Sequence, residues 1–248
     1  PSITTQASPT SNIVVGMQTL VGDTATLVNG FNPTGSVVFT LYSNDTCTIP
    51  AGVSGSGTIS GGSASYSTTW TPAAVGTYYW IARYAGDAAN EGFTTSCGDA
   101  NEMLYVIKDS PSITTIANPI TAIAVNKAAP VGDSAMILNG YNPTGSVLFT
   151  LYSDDKCTIS TGVSGSGIIS GTTASYSTTW TPAAVGTYTW IASYAGDAAN
   201  EGFTTECGDA NEMLTVVDAR ISINPGSAAN EIGDNHTFTV KVEKNEGE

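Results

Sequence analysis

Four cysteines and a single histidine are the only thiol and imidazole groups in this 248-residue chain. Cys47, Cys97, Cys157 and Cys207 contain no CxxC pair, so zinc or iron–sulfur ligation has no framework. His236 stands alone near the end, and Ser–His or Cys–His nucleophilic chemistry would rest on it entirely. The acidic segments hold more promise. Asp87, Asn90, Glu91, Asp99, Asn101 and Glu102 are echoed by Asp197, Asn200, Glu201, Asp209, Asn211 and Glu212. Clustered carboxylate and amide oxygens suit Ca²⁺, which takes six to eight oxygen ligands, although the spacing matches no EF-hand loop. The same residue types also build Asx turns and a solvated acidic rim without an ion. No other cofactor is expected. Asn44-Asp45-Thr46 and Asn235-His236-Thr237 fit the N-glycosylation pattern at Asn44 and Asn235. Ser54-Gly55-Ser56-Gly57 and Ser164-Gly165-Ser166-Gly167 are followed by no Lys and open no helix, so they are not phosphate loops. They read as turns or a flexible connection.

Composition narrows the partners. Charged residues make up 11% of the chain, against about a quarter in ordinary soluble domains. The formal net charge is −14, which excludes the dense cationic face that nucleic acid or an anionic membrane surface requires. Hydrophobic residues reach 41%, enough for a packed core, yet no apolar run is long enough to insert in a bilayer. The chain opens Pro1-Ser2-Ile3 without a leader, so it reads as a mature or excised piece of something longer. An even cysteine count with few charges suits an oxidising, extracellular setting.

The elements that position these residues come twice. A shift of 110 residues, the interval from Cys47 to Cys157, lays the sequence on itself without a gap. Pro1-Ser2-Ile3-Thr4-Thr5 recurs from Pro111, Asn32-Pro33-Thr34-Gly35-Ser36-Val37 from Asn142, and Trp70-Thr71-Pro72-Ala73-Ala74-Val75-Gly76-Thr77-Tyr78 from Trp180. Between Gly22 and Val106 about four positions in five are identical. Domains are expected at 1–108 and 109–217, with 218–248 the first strands of a third, different one. A duplicated unit is self-contained, so Cys47 pairs with Cys97 and Cys157 with Cys207. No Lys occupies matching positions in the two copies, which removes the donor a duplicated Lys–Asn crosslink would need.

Within a unit, runs rich in Val, Thr, Tyr, Trp and Phe alternate with Gly, Pro, Asn and Asp clusters. Strands are predicted near residues 2–7, 23–29, 36–42, 57–60, 64–70, 76–84 and 103–108. No helical stripe appears. About seven strands in about 110 residues is the pattern of an all-β, immunoglobulin-like sandwich. The copies also show which faces are buried. Tyr79 and Arg83 become Thr189 and Ser193, while Tyr78, Trp80, Ala82 and Tyr84 persist, so the changed pair faces water. Tyr78 follows a Pro-x-x-x-Gly turn, where such sandwiches place a corner tyrosine bonded to nearby backbone.

Asn-Pro-Thr-Gly-Ser-Val-x-Phe-Thr-Leu-Tyr, Gly-Thr-Tyr-x-Trp-Ile-Ala-x-Tyr-Ala-Gly-Asp and Cys-Gly-Asp-Ala-Asn-Glu resemble segments of bacterial and archaeal Ig-like tandem repeat domains. Those domains belong to large cell-surface or secreted, adhesin-like proteins. The resemblance covers nearly all of both units and implies a non-enzymatic structural or spacer role outside the cell, with neighbouring Ig-like domains of the same chain as partners. It supplies no catalytic residue. Two rivals stand beside it: a filament subunit that self-associates by strand exchange through the unfinished third domain, and an adhesin module binding carbohydrate or protein through aromatics such as Phe93 and Phe203.

Overall fold

The computed structural model describes residues 2–209, 211–224, 237 and 239–244. The chain divides into two units, Pro1–Asp109 and Ser110–Glu248. The first holds nine strands: β1 (Ser2–Ser8), β2 (Ile13–Val14), β3 (Thr19–Val28), β4 (Ser36–Tyr42), β5 (Pro50–Thr58), β6 (Ser63–Trp70), β7 (Gly76–Gly86), β8 (Glu91–Thr94) and β9 (Met103–Ile107). One sheet runs β1-β3-β6; the other runs β2-β9-β7-β4-β5, with β8 added on β7. Every pairing is antiparallel except β2 with β9, where Ile13 lies opposite Val106. The first segment therefore changes sheets between β1 and β2, around Ser8-Pro9. The expected all-β sandwich fold is what the chain adopts.

The second unit repeats this order with β10 (Ser112–Asn118), β11 (Ile123–Ala124), β12 (Ala129–Leu138), β13 (Ser146–Tyr152), β14 (Ser160–Ile168), β15 (Thr173–Trp180), β16 (Gly186–Tyr194), β17 (Phe203–Thr204) and β18 (Met213–Val217). Beyond it, β19 (Ala219–Asn224) and β20 (Thr239–Lys244) pair as a two-stranded antiparallel sheet. These strands are the part of the expected third domain that falls within the described residues; His236 and Asn235 lie outside them.

Strict alternation makes the core. On β4, Val37, Phe39 and Leu41 point inward; on β7, Tyr78, Trp80, Ala82 and Tyr84 do, while Arg83 is exposed. Val21, Ala25 and Leu27 of β3 and Leu104 and Val106 of β9 complete it. Each large side chain of this kind contributes about 1.5–3 kcal/mol on burial. Trp80 meets the edge of Tyr66 at 6.4 Å between ring centroids, and Trp190 meets Tyr176 at 6.3 Å.

One expectation is corrected. Ser54-Gly55-Ser56-Gly57 is neither a turn nor a flexible connection but the body of strand β5, paired with β4 from Ser36↔Thr58 to Thr40↔Ser54. The glycines are there because β5 lies close over β6. A Cβ on Gly55 would stand 2.0 Å from the Tyr66 ring, and one on Gly57 would stand 2.3 Å from the Ser65 carbonyl oxygen. Gly165 and Gly167 meet Tyr176 and Ser175 in the same way.

Candidate functional site

The residues singled out in the sequence fall into three places in each unit. The first is the disulfide. Cys47–Cys97 and Cys157–Cys207 are closed, each with Cα atoms 5.8 Å apart. The bond joins the loop after β4 to the loop before β9. Asn44 shapes the first of these loops: its Oδ1 accepts the Thr48 and Ile49 amides at 3.1 and 2.8 Å, and its Nδ2 donates to the Thr48 hydroxyl. Asp154 does the same in the second unit, accepting from Thr158 and Ile159. The loop thus needs the side-chain oxygen at this position, which Asn and Asp both supply.

The second place is a loop clamp. Asp87 Oδ2 accepts the Thr34 amide at 2.8 Å and its hydroxyl at 3.0 Å, while Oδ1 accepts from the Ala89 amide and Asn90 Nδ2, both at 2.8 Å. Asn90 in turn brackets Phe31, accepting its amide at 2.8 Å and donating to its carbonyl at 3.0 Å. Together they fasten the β3–β4 loop to the β7–β8 turn. The Thr34 and Ala89 amides hold the Asp87 carboxyl well below the usual carboxylate range. Asp197 and Asn200 bracket Tyr141 and Thr144 identically. Burial works against ionisation of Asp197, yet Asn200 and Thr144 still keep it low. Tyr194 faces this carboxylate; burial first, then Asp197, pushes its hydroxyl up to about 12.

The third place is the interior. Glu91, Asp99 and Asn101 are exposed, and Asp99 Oδ2 accepts the Ser96 amide at 3.1 Å, but Glu102 is turned inward and 0% exposed. Its backbone explains why. Asn101 O accepts the Ala7 amide of β1 at 2.8 Å, and Glu102 O accepts the Trp80 amide of β7 at 2.8 Å, so this turn is stitched to both sheets. Ala7 lies opposite Asp23 of β3, a residue 2% exposed. Asp23 and Glu102 consequently face each other inside the sandwich, and the Thr5 hydroxyl of β1 donates to Glu102 Oε1. Neither Asp23 oxygen nor Glu102 Oε2 closes a hydrogen bond of good geometry; the Thr24 and Gln6 amides merely face Asp23. Burial raises both carboxyls well above their ordinary range, Glu102 further than Asp23. Asp133 and Glu212 repeat the pair, again raised by burial, with Ser134 donating to Asp133 Oδ1 at 2.7 Å.

The acidic set is therefore dispersed rather than gathered. Asp87 and Asn90 work together, Glu91, Asp99 and Asn101 reach solvent, and Glu102 joins a partner the sequence reading did not single out. Glu201, Asp209 and Asn211 are exposed in the same way, and Glu212 is buried. Among the described residues no three His, Cys, Asp or Glu side chains converge as a metal ion would require. Phe93 is partly exposed on β8, and Phe203 is half-buried against the core of the second unit.

No protein-family profile and no curated protein is similar to the chain. Among solved structures, the transglutaminase of red sea bream is similar over 87% of this chain and 31% of its own, at 9% identity and a TM-score of 0.37. The chain spans about a third of the length of that structure, and at that TM-score nothing is carried over from it.

Proposed function

We propose that this protein is a non-enzymatic extracellular structural module, in which disulfide-closed sandwiches serve as spacer units of a repetitive surface protein. The observation that carries this reading is where the two copies differ. Gln6 becomes Ile116, Thr26 becomes Met136, Thr58 becomes Ile168 and Val38 becomes Leu148, all at exposed positions. The corner tyrosines, the disulfides, the Asp–Asn loop clamps and the acid pairs are the same in both, and the core changes only conservatively, Leu27 becoming Ile137. The expectation that Tyr79 and its counterpart face water fails, since Tyr79 is half-buried and Thr189 is buried. Sequence is thus held where it specifies the fold and released where a shared binding face would need it held. The raised carboxyls do not oppose this reading, because carboxyl pairs that hydrolyse glycosides flank a bond in an open cleft. Asp23 and Glu102 have no such access.

The closed disulfides support an oxidising compartment, and no helix among the described residues is long and apolar enough to cross a membrane. External protease treatment of the source cells, with thiol alkylation and mass measurement of the released fragments, tests this part. Released fragments with all four cysteines paired are expected. Protection from protease, or four alkylated thiols, would overturn the extracellular reading. A second reading, self-assembly by strand addition, is favoured by the two-stranded β19–β20 sheet, whose Val240 and Val242 side chains are exposed. Light scattering separates the two: concentration-dependent oligomers select assembly, and a constant monomer selects the spacer.

A further inference from the structure

The acid pair of each unit is short of hydrogen-bond donors. Asp23 Oδ1 and Oδ2 and Glu102 Oε2 are buried without a partner, as are Asp133 Oδ2 and both oxygens of Glu212. Among the described residues no Lys, Arg or His side chain acts on either pair. The groups that do face them are few. In the first unit they are the Thr5 hydroxyl of β1, the Thr24 and Gln6 amides, and the like charge of Asp99 outside the turn; in the second they are the Ser134 and Ile116 amides and Asp209. Two carboxylates placed side by side in the interior cannot both be ionised, because desolvation and mutual repulsion act in the same direction. Two acceptors become a hydrogen-bonded pair only when one of them carries a proton.

The pair also sits at a mechanical junction. Asp23 is on β3 opposite Ala7 of the first strand, and Glu102 heads the last strand, whose preceding residue accepts the Ala7 amide. We propose that each unit stores one proton between its Asp–Glu pair, Asp23–Glu102 and Asp133–Glu212, and that this proton latches the head of the last strand to β3 in the first unit and to β12 in the second, closed in acid and released as pH rises. When the proton leaves, both carboxylates are charged and repel, and the head of β9 is driven from β3. The last strand belongs to the sheet opposite β3, so the latch sets by pH how firmly the end of each unit is held across the sandwich. The inference rests on the fold alone, and it and the extracellular structural reading fail separately.

The sign follows from linkage. A carboxyl that holds its proton more tightly folded than unfolded makes the folded state bind more protons from about pH 4 upward. Stability is greatest below the unfolded value and falls as pH rises through the folded one. The test is a thermal melt of the full chain from pH 5 to pH 9, alongside the Glu102→Gln/Glu212→Gln variant. The wild type is expected to lose about 5 °C or more of Tm across this range. The variant, whose amides donate to Asp23 and Asp133, is expected to be flat. A flat wild type, or a variant with the wild-type slope, would overturn the latch. If the variant does not fold, infrared spectroscopy of the wild type at pH 7 still decides: the carbonyl band of un-ionised carboxylic acid is expected, and its absence contradicts the stored proton. Recovery of the alkaline Tm on adding Ca²⁺, with loss of that band, would also contradict it, since the pair would then hold a cation instead.

Discussion

Tyr78 shows how one hydroxyl can hold a turn. It donates to Ala74 O at 2.9 Å, and Tyr188 donates to Ala184 O at the same distance, while each ring packs edge-on against Trp70 or Trp180. Tyr78→Phe leaves the ring and strands the carbonyl, so a loss of about 0.5–1.5 kcal/mol is expected in denaturant unfolding. Asp87→Ala removes four donors' acceptor at once and frees the β3–β4 loop; a loss of about 1–3 kcal/mol and faster amide exchange at Thr34 are expected. Residues differ in how openly the sequence declares them. Tyr78 was legible because its place after the turn implies its bond. Asp23 was not, because a carboxylate is read by default as solvent-facing. Its phase carried the signal: it alternates with Val21, Ala25 and Leu27 on the inward face of β3, and Glu102 stands in phase with Leu104 and Val106. A carboxylate in step with core residues, present in both copies, marks a buried acid.

At the level of elements, β4 and β7 could be placed from alternation alone, and β4 runs over the residues expected, 36–42. The strands that escaped notice lack a local signal. β2 is two residues long and exists because β9 offers it a parallel edge, and β8 is a four-residue strand that pairs with the far end of β7 at Arg83, Tyr84 and Gly86. β5 was hidden by its glycines, which disfavour strands in isolation and suggest a flexible link. Here the partner strand decides. Tyr66 needs the space above Gly55, so tertiary packing overrides propensity. Gly55→Ala would place a methyl group within the Tyr66 ring and is expected to destabilise the first unit by about 1–3 kcal/mol. Chemical denaturation with Gly35→Ala as comparison would separate crowding from backbone strain, because a Cβ on Gly35 meets nothing within 4 Å but must adopt φ +94°.

For the whole molecule, each disulfide spans a sequence separation of 50 residues and ties the loop after β4 to the segment that leads into β9. Closing loops of that length contributes about 4 kcal/mol per unit through the entropy of the unfolded chain. Reduction should therefore lower the Tm of both units together, and a lowering in one alone would mean the copies are not equivalent. The duplication made the pairing of cysteines legible before any coordinates, since a repeated unit must close its own bonds. Stretching single molecules from end to end tests the mechanical reading most directly. Two cooperative events are expected, each sparing the chain between its cysteines, and reduction should lengthen each event by about 170 Å, the extended span of that enclosed segment. Extension at low force without discrete events, or events whose length reduction leaves unchanged, would contradict a role as disulfide-locked spacer units.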